Sequence, residues 1–317
     1  MRKGKRWLAA AVSAAMIVQS LASVGPVYAA DDGVSIADTF TDSSFRSYVS
    51  SNFDTDSNGY LSDAEISNVT SIDVSKCSPA ISSLNGVELF TNLSKLDCNE
   101  QSIRNLDIEN LENLEYIDVS SNRIDSLTLP VSAEKLTYLD ISGNKITSLT
   151  SLADYNNLVL LNANSTNLSS IDVSNMKGLK VLGVSGTTIS TLDLGSNMEL
   201  TTLYCDSMRS LPVLDVSGHE KLKNLYCAGA NSDSGVVVRS SITKLDVSGD
   251  IVLGSLDCSN SYVAELNIDN TPALTTLDCS NTRLTSIDVS KNTSLSYLDV
   301  SSNVLGAVDF TANTALR

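Results

Sequence analysis

Asp54, Asp56, Asn58 and Glu65 are the residues of this chain whose spacing most clearly implies chemistry. They stand in the segment Asp54-Thr55-Asp56-Ser57-Asn58-Gly59-Tyr60-Leu61-Ser62-Asp63-Ala64-Glu65, which fits D-x-[DN]-x-[DN]-G-x5-E throughout. Asp54, Asp56 and Asn58 offer side-chain oxygens on alternate positions. Gly59 permits a sharp turn, Tyr60 offers its carbonyl, and Ser62 can act directly or through water. Glu65 closes the shell with both carboxylate oxygens. A set made only of oxygens suits a hard divalent cation.

The flanking residues predict the elements that would hold this loop. Phe45, Tyr48, Val49 and Phe53 recur at helical spacing before it. Ser62 and Glu65 form an S-x-x-E capping box that opens a second helix, with Ile66 and Val69 on its inner face. The stretch resembles a single EF-hand. A dockerin would carry a second, duplicated loop, and the sequence has none. A lone loop suits a structural role, and extracellular modules of this type bind at ~10⁻⁴ to 10⁻³ M. The expectation is a calcium-rigidified cap over residues 31–80. It would cover the next coils through Ile72, Val74, Ile81, Leu84, Val87, Leu89 and Phe90.

Elsewhere the sequence offers no catalytic set. His219 is the only histidine, in the turn Ser217-Gly218-His219-Glu220, where other units place Asn197, Asn292 or Asn313; it is expected to face solvent. Without a further histidine, Ser-His-Asp and Cys-His schemes lack a base. Acid pairs are common, but they recur with a repeat, which marks them as scaffold. The reading is of a protein that is not an enzyme.

That repeat is L-x-x-L-x-(C/V/I)-x-x-(N/T)-x-(L/I)-x-x-(L/I)-D-V-S-x-N. Its lead leucines are Leu93, Leu114, Leu136, Leu158, Leu179, Leu200, Leu222, Leu253, Leu274 and Leu295, spaced by 21 or 22 residues except for 31 between Leu222 and Leu253. So regular a period means one short unit stacked on copies of itself. In Leu114-Glu115-Tyr116-Ile117-Asp118-Val119 the apolar residues point inward and Tyr116 and Asp118 outward, the pattern of a half-buried strand. Stacked units then give a parallel sheet, covered from within by Ile124, Leu127 and Leu129.

Three further positions follow from the same register. Cys98, Cys205, Cys227, Cys258 and Cys279 occupy the inward slot that Val119, Ile141, Ala163, Val184 and Val300 fill elsewhere, so they are expected as free buried thiols. Cys77 lies outside the repeats. Asn122, Asn144 and Asn303 can satisfy the backbone of neighbouring coils, whereas Gln101, Thr166, Thr187, Ser261 and Thr282 replace them elsewhere. The aspartate of L-D-V-S (Asp107, Asp172, Asp193, Asp215, Asp246, Asp288, Asp309) is expected to bond to backbone at its turn.

From about residue 81 to 316 the chain resembles the leucine-rich repeat family, in its short bacterial class of 21-residue repeats. The resemblance implies a curved α/β solenoid with a parallel β-sheet on its concave face and a largely irregular convex side, preceded by the small helical EF-hand-like N-terminal cap. It also implies that the concave strand faces bind partners. Along them one outward column reads Lys95, Tyr116, Tyr138, Leu160, Val181, Thr202, Asn224, Ser255, Thr276, Tyr297. The other reads Asp97, Asp118, Asp140, Asn162, Gly183, Tyr204, Tyr226, Asp257, Asp278, Asp299. Tyr116, Tyr138, Leu160, Val181, Tyr204 and Tyr226 form the least polar stretch, the candidate partner-binding surface.

The ends and composition set the setting. Residues 1–30 combine Arg2, Lys3, Lys5 and Arg6, an apolar run and the small-residue site Val27-Tyr28-Ala29, the pattern of a secretory signal. The whole chain of 317 residues has 21 basic and 37 acidic residues, net −16; without the leader's four basic residues it is 17 − 37 = −20. Such acidity repels nucleic acid and anionic membrane surfaces. After leader cleavage no apolar run is long enough for membrane insertion. The expectation is a secreted or cell-surface monomer that binds a protein or glycan. The alternative is the repeat region of a larger extracellular enzyme or wall-anchored protein, suggested by an eleventh unit that has just begun at Thr314-Ala315-Leu316-Arg317. The enlarged unit, within Ala228 to Ser241, is expected as a surface excursion or a protruding contact loop.

Overall fold

A computed structural model describes residues 33–149, 152, 154–231 and 237–317; the expected leader lies outside them. Helix α1 (Ile36–Thr39) is followed by α2 (Ser43–Asn52) and, after the Asp54–Glu65 loop has begun, by α3 (Asp63–Asn68). Asp42 starts α2 by accepting from the Ser44 and Phe45 amides, while its second oxygen accepts from the Ser82 amide at 2.8 Å. One side chain thus caps a helix and ties it to the first coil.

Aromatic packing completes that attachment. Phe40 stacks on Phe90 at 6.0 Å, and Phe45 and Phe53 meet the pair edge-on. Phe40 lies so close to Gly86 that a Cβ there would stand 2.6 Å from its ring, and Gly86 also has φ +98°. Only glycine meets both demands. The inner faces of α2 and α3 are therefore committed to the core of the repeats.

Among the described residues the main sheet has eleven parallel strands. They are Ser71–Asp73, Lys95–Asp97, Tyr116–Asp118, Tyr138–Asp140, Leu160–Asn162, Val181–Gly183, Thr202–Tyr204, Asn224–Tyr226, Ser255–Asp257, Thr276–Asp278 and Tyr297–Asp299. Each pairs with the next without a slip, so equivalent repeat positions form straight columns across the sheet. The sheet starts at Ser71–Asp73, ahead of residue 81 where the repeats were expected to begin. Beneath it the lead leucines and the slot with Cys98, Cys205, Cys227, Cys258 and Cys279 are buried, and all six cysteines are free thiols.

The opposite wall, expected to be largely irregular, carries short strands in some of its coils. Asn105–Asp107 pairs in parallel with Ser126–Thr128, and Val213–Asp215, Lys244–Asp246 and Glu265–Asn267 form a second short parallel sheet. Stacked L-D-V-S tracts are extended and in register, so their amides reach the next coil, as Ile108 does to the Thr128 carbonyl at 3.0 Å. All seven L-D-V-S aspartates accept from an amide two residues ahead, as expected.

Inside the coils two polar ladders run along the stack. In the first, Asn122 accepts from the Ile103 amide and donates to the Cys98 carbonyl at 2.8 Å; Asn144 and Asn303 repeat the arrangement. Gln101 does the same for Ile81 and Ser75. Thr166, Thr187 and Ser261 each donate to a carbonyl three residues back in their own coil, and Thr187 also faces the Met208 sulfur of the next coil at 3.7 Å. The second ladder overturns the solvent-facing reading of His219. That residue is 2 % exposed, with Nδ1 2.7 Å from the Val216 carbonyl and Nε2 3.2 Å from the Leu194 carbonyl. Asn197, Asn292 and Asn313 are buried at equivalent points and donate to carbonyls of the preceding coil. The turn must bury its backbone groups between coils, and a polar side chain is what satisfies them.

Candidate binding surface and cation loop

The loop folds around its own acids. Carboxylate oxygens of Asp54, Asp56 and Glu65 all lie within 4.8 Å of one another. Ser57 at φ +59° and Gly59 at φ +85° turn the chain so that the Asn58 and Gly59 amides point at Asp54. The Asn58 side chain donates to Asp56 and accepts from the Tyr60 amide. Tyr60–Leu61 then forms a short antiparallel pair with Val34–Ser35, which fixes the Tyr60 peptide. Glu65 accepts from the Thr55 amide and hydroxyl at 2.6 Å each and from the Ser62 amide and hydroxyl at 2.9 Å each. The Thr55 hydroxyl first, then the Ser62 amide, pulls the Glu65 carboxyl down to about 2. The reciprocal Ser62–Glu65 capping box is present.

This donor set fits a hard cation. Three carboxylates converge, every donor is oxygen, and no described Lys or Arg forms an ion pair with any of them. Asp54, Asp56, Asn58, Tyr60, Ser62 and Glu65 all fall on this one loop.

The other six candidate residues fall on six consecutive strands. Tyr116, Tyr138, Leu160 and Val181 share one column, and Tyr204 and Tyr226 the other. Tyr116 and Tyr138 stack at 4.2 Å and 11°, and Tyr204 and Tyr226 at 4.9 Å and 5°. Tyr204 and Tyr226 are 37 % and 41 % exposed, whereas Tyr116 and Tyr138 are half-buried. Burial raises the Tyr138 hydroxyl above its ordinary range. Lys95 sits 5.0 Å from the Tyr116 ring centre and 3.7 Å from Asp97.

The aspartate columns are less open than the sequence suggests. Asp97, Asp118 and Asp140 are buried, and burial followed by the neighbouring Asp118 pushes Asp97 up. Asp118 and Asp140 each accept from the amide and hydroxyl of the serine two residues on. At the other end Asp257, Asp278 and Asp299 also accept from the amide two residues on and are partly exposed.

In the enlarged unit Ala230–Asn231 pairs antiparallel with Val237–Val238. Arg239 pins it across two coils by donating to the Ser261 and Asn281 carbonyls. Tyr262 lies between the Arg239 and Arg283 guanidinium groups, at 5.5 and 4.2 Å.

A stack of in-register coils along one long parallel sheet defines a repeat solenoid. Comparison with known proteins places it more closely. A family model described as Leucine Rich repeats (2 copies) matches residues 112–154, and another described as Leucine Rich repeat matches residues 291–309. No curated protein matches significantly. Among solved structures, the functional domain of InlJ from Listeria monocytogenes, described as including a cysteine ladder, is 25 % identical with a TM-score of 0.53; the match covers 89 % of this chain and 74 % of that one. An internalin from Listeria monocytogenes, InlF, is 19 % identical with a TM-score of 0.52, over 90 % of this chain and 96 % of that one. YopM, a leucine-rich effector protein from Yersinia pestis, is 20 % identical with a TM-score of 0.56, over 69 % of this chain and 57 % of that one. These findings support the leucine-rich repeat family, whose solenoid is typical of protein-binding domains. No helix among the described residues is long and apolar enough to cross a membrane.

Proposed function

We propose that this chain is a secreted or cell-surface binding protein that holds a protein or glycan partner on the concave face of its solenoid. The observation that carries this reading is the run of two stacked tyrosine pairs joined by Leu160 and Val181 on a sheet that carries aspartates toward both ends. Rigid, already stacked rings lose little freedom on binding, which is why aromatic residues anchor interfaces. Replacing Tyr204 and Tyr226 together by Ala should abolish capture of partners from bacterial and host cell-surface fractions while leaving the melting temperature unchanged. Undiminished capture by that variant would refute the site.

In the same reading the Asp54–Glu65 loop binds calcium to stiffen the N-terminal cap. The helices flanking the loop are already packed on the first coils, so binding would add stability without exposing a new groove. With a dissociation constant near ~10⁻⁴ M, 10 mM calcium stabilises the fold by about 2.7 kcal/mol. The melting temperature should therefore rise with calcium in the wild type and not in Glu65→Gln. A wild-type melting curve that calcium leaves in place would count against the metal.

A further inference from the structure

We infer that the concave surface at Tyr204, Tyr226, Asp257 and Asp278 receives a lysine- or arginine-bearing segment of a polypeptide partner; the inference rests on the concave face being the binding surface. The other end of the sheet carries a related, filled site, in which the ring shares the column of the cation rather than that of the aspartates. There Lys95 lies 5.0 Å from the Tyr116 ring centre, 3.7 Å from Asp97 and 4.0 Å from Asp73. An ammonium group between a ring face and two carboxylates is favoured by both the ring quadrupole and Coulomb attraction.

At Tyr226 the acceptors are present and the cation is not. Asp257 is the register partner of Tyr226 on the next strand, and Asp278 follows on the one after. Each gives one oxygen to its own turn, and no described Lys or Arg forms an ion pair with either. Ser255, two residues before Asp257, occupies the column position that Lys95 holds two residues before Asp97. Ser255 is exposed and short, so the space that the Lys95 side chain fills at one end stays open at the other. Asp206 nearby is pushed above the usual carboxylate range, first by burial and then by the charge of Asp257. The chain as a whole is at −16.

The aromatic geometry disfavours a neutral sugar. A pyranose docks its C–H face on an open ring face. Here the tyrosines of each pair turn their inner faces on one another, and Lys95 covers Tyr116. Beside Tyr204 the space over Gly183 is taken by the amides of Asn162 and Asn164, within 2.9 Å of where a Cβ would stand. Tyr226, the most exposed of the four rings, has carboxylates alongside, a setting for a cation.

The test uses the purified chain with extended nine-residue peptides bearing a central Lys or Arg among apolar residues. Matched peptides carry Gln at that position, and N-acetylglucosamine oligomers serve as the neutral sugar. Cationic peptides should bind about tenfold more tightly than their Gln counterparts. That preference should vanish in Asp257→Asn/Asp278→Asn. It should also vanish in Ser255→Lys, which supplies the missing ammonium from within, with the melting temperature unchanged in both. Equal binding of Gln peptides, or binding indifferent to Ser255→Lys, overturns the inference. Oligomer binding that Tyr204→Ala/Tyr226→Ala removes overturns the polypeptide partner and leaves the concave surface standing. Cationic binding untouched by the tyrosine and aspartate changes overturns both readings, and absence of binding by every probe overturns the inference.

Discussion

Asp250 is an acid where other coils place an amide. It is fully buried; one oxygen accepts from the His219 amide at 2.9 Å and the other has no partner among the described residues. Desolvation raises its carboxyl from 3.8 to about 8. Between those values the folded chain holds a proton that the unfolded chain has released. Stability from this site is therefore fullest below about pH 4 and declines as pH climbs toward about 8. Asp250→Asn keeps the shape and supplies a donor for the preceding coil, as Asn197 and Asn313 do. It should raise stability by about 1–3 kcal/mol at pH 8, with the gain shrinking toward pH 4. Urea melts at the two pH values measure this, and a gain independent of pH would rule out ionisation as its source. His219 belongs to the same row. Its burial was hidden in the sequence because a polar residue at a turn reads as solvent-facing. Nothing in apolar periodicity marks a turn whose outer side is the next coil.

The strands carry their register in plain sight. Leucine spacing and two-residue alternation were enough to place both outward columns, the cysteine slot and the L-D-V-S turns. The convex strands escaped because the L-D-V-S tract reads equally well as a turn, and only some coils extend it into a strand. The strand Ser71–Asp73 escaped because Ile72-Asp73-Val74-Ser75 looks like a convex turn tract. Each element also has a consequence that can be measured. Asn122 joins two coils, so Asn122→Ala strands the Ile103 amide and the Cys98 carbonyl. The expected loss is about 2–4 kcal/mol in chemical denaturation. Thr166→Ala removes a bond within one coil only and should cost less. The cysteine slot makes its own forecast. Cys205, Cys227 and Cys258 are fully enclosed, and burial drives their thiols far above the ordinary range. Of the six cysteines, Cys77 alone is partly exposed and should be the one modified by a thiol reagent in the native state. The others should react only on unfolding.

A linear stack depends on what covers its edge. In this chain α1 and α2 do so through Phe40, Phe45, Phe53 and Phe90. Phe90→Ala should cost about 3–5 kcal/mol, because it empties the centre of that cluster. Hydrogen exchange should show the loss first at the strand Lys95–Asp97 and last near Thr276–Asp278, since each coil touches only its neighbours. Uniform loss of protection along the chain would mean that the stack unfolds as one unit.

The tyrosine run changes column between Val181 and Tyr204. Over six strands it advances about 24 Å across the sheet while shifting about 6.6 Å along the strands, a slant of about 15°. A bound segment must lie on that diagonal to touch both aromatic pairs, so the angle of approach itself becomes a means of selection. Exchanging Thr202 with Tyr204 and Asn224 with Tyr226 would straighten the track and admit ligands of a different tilt.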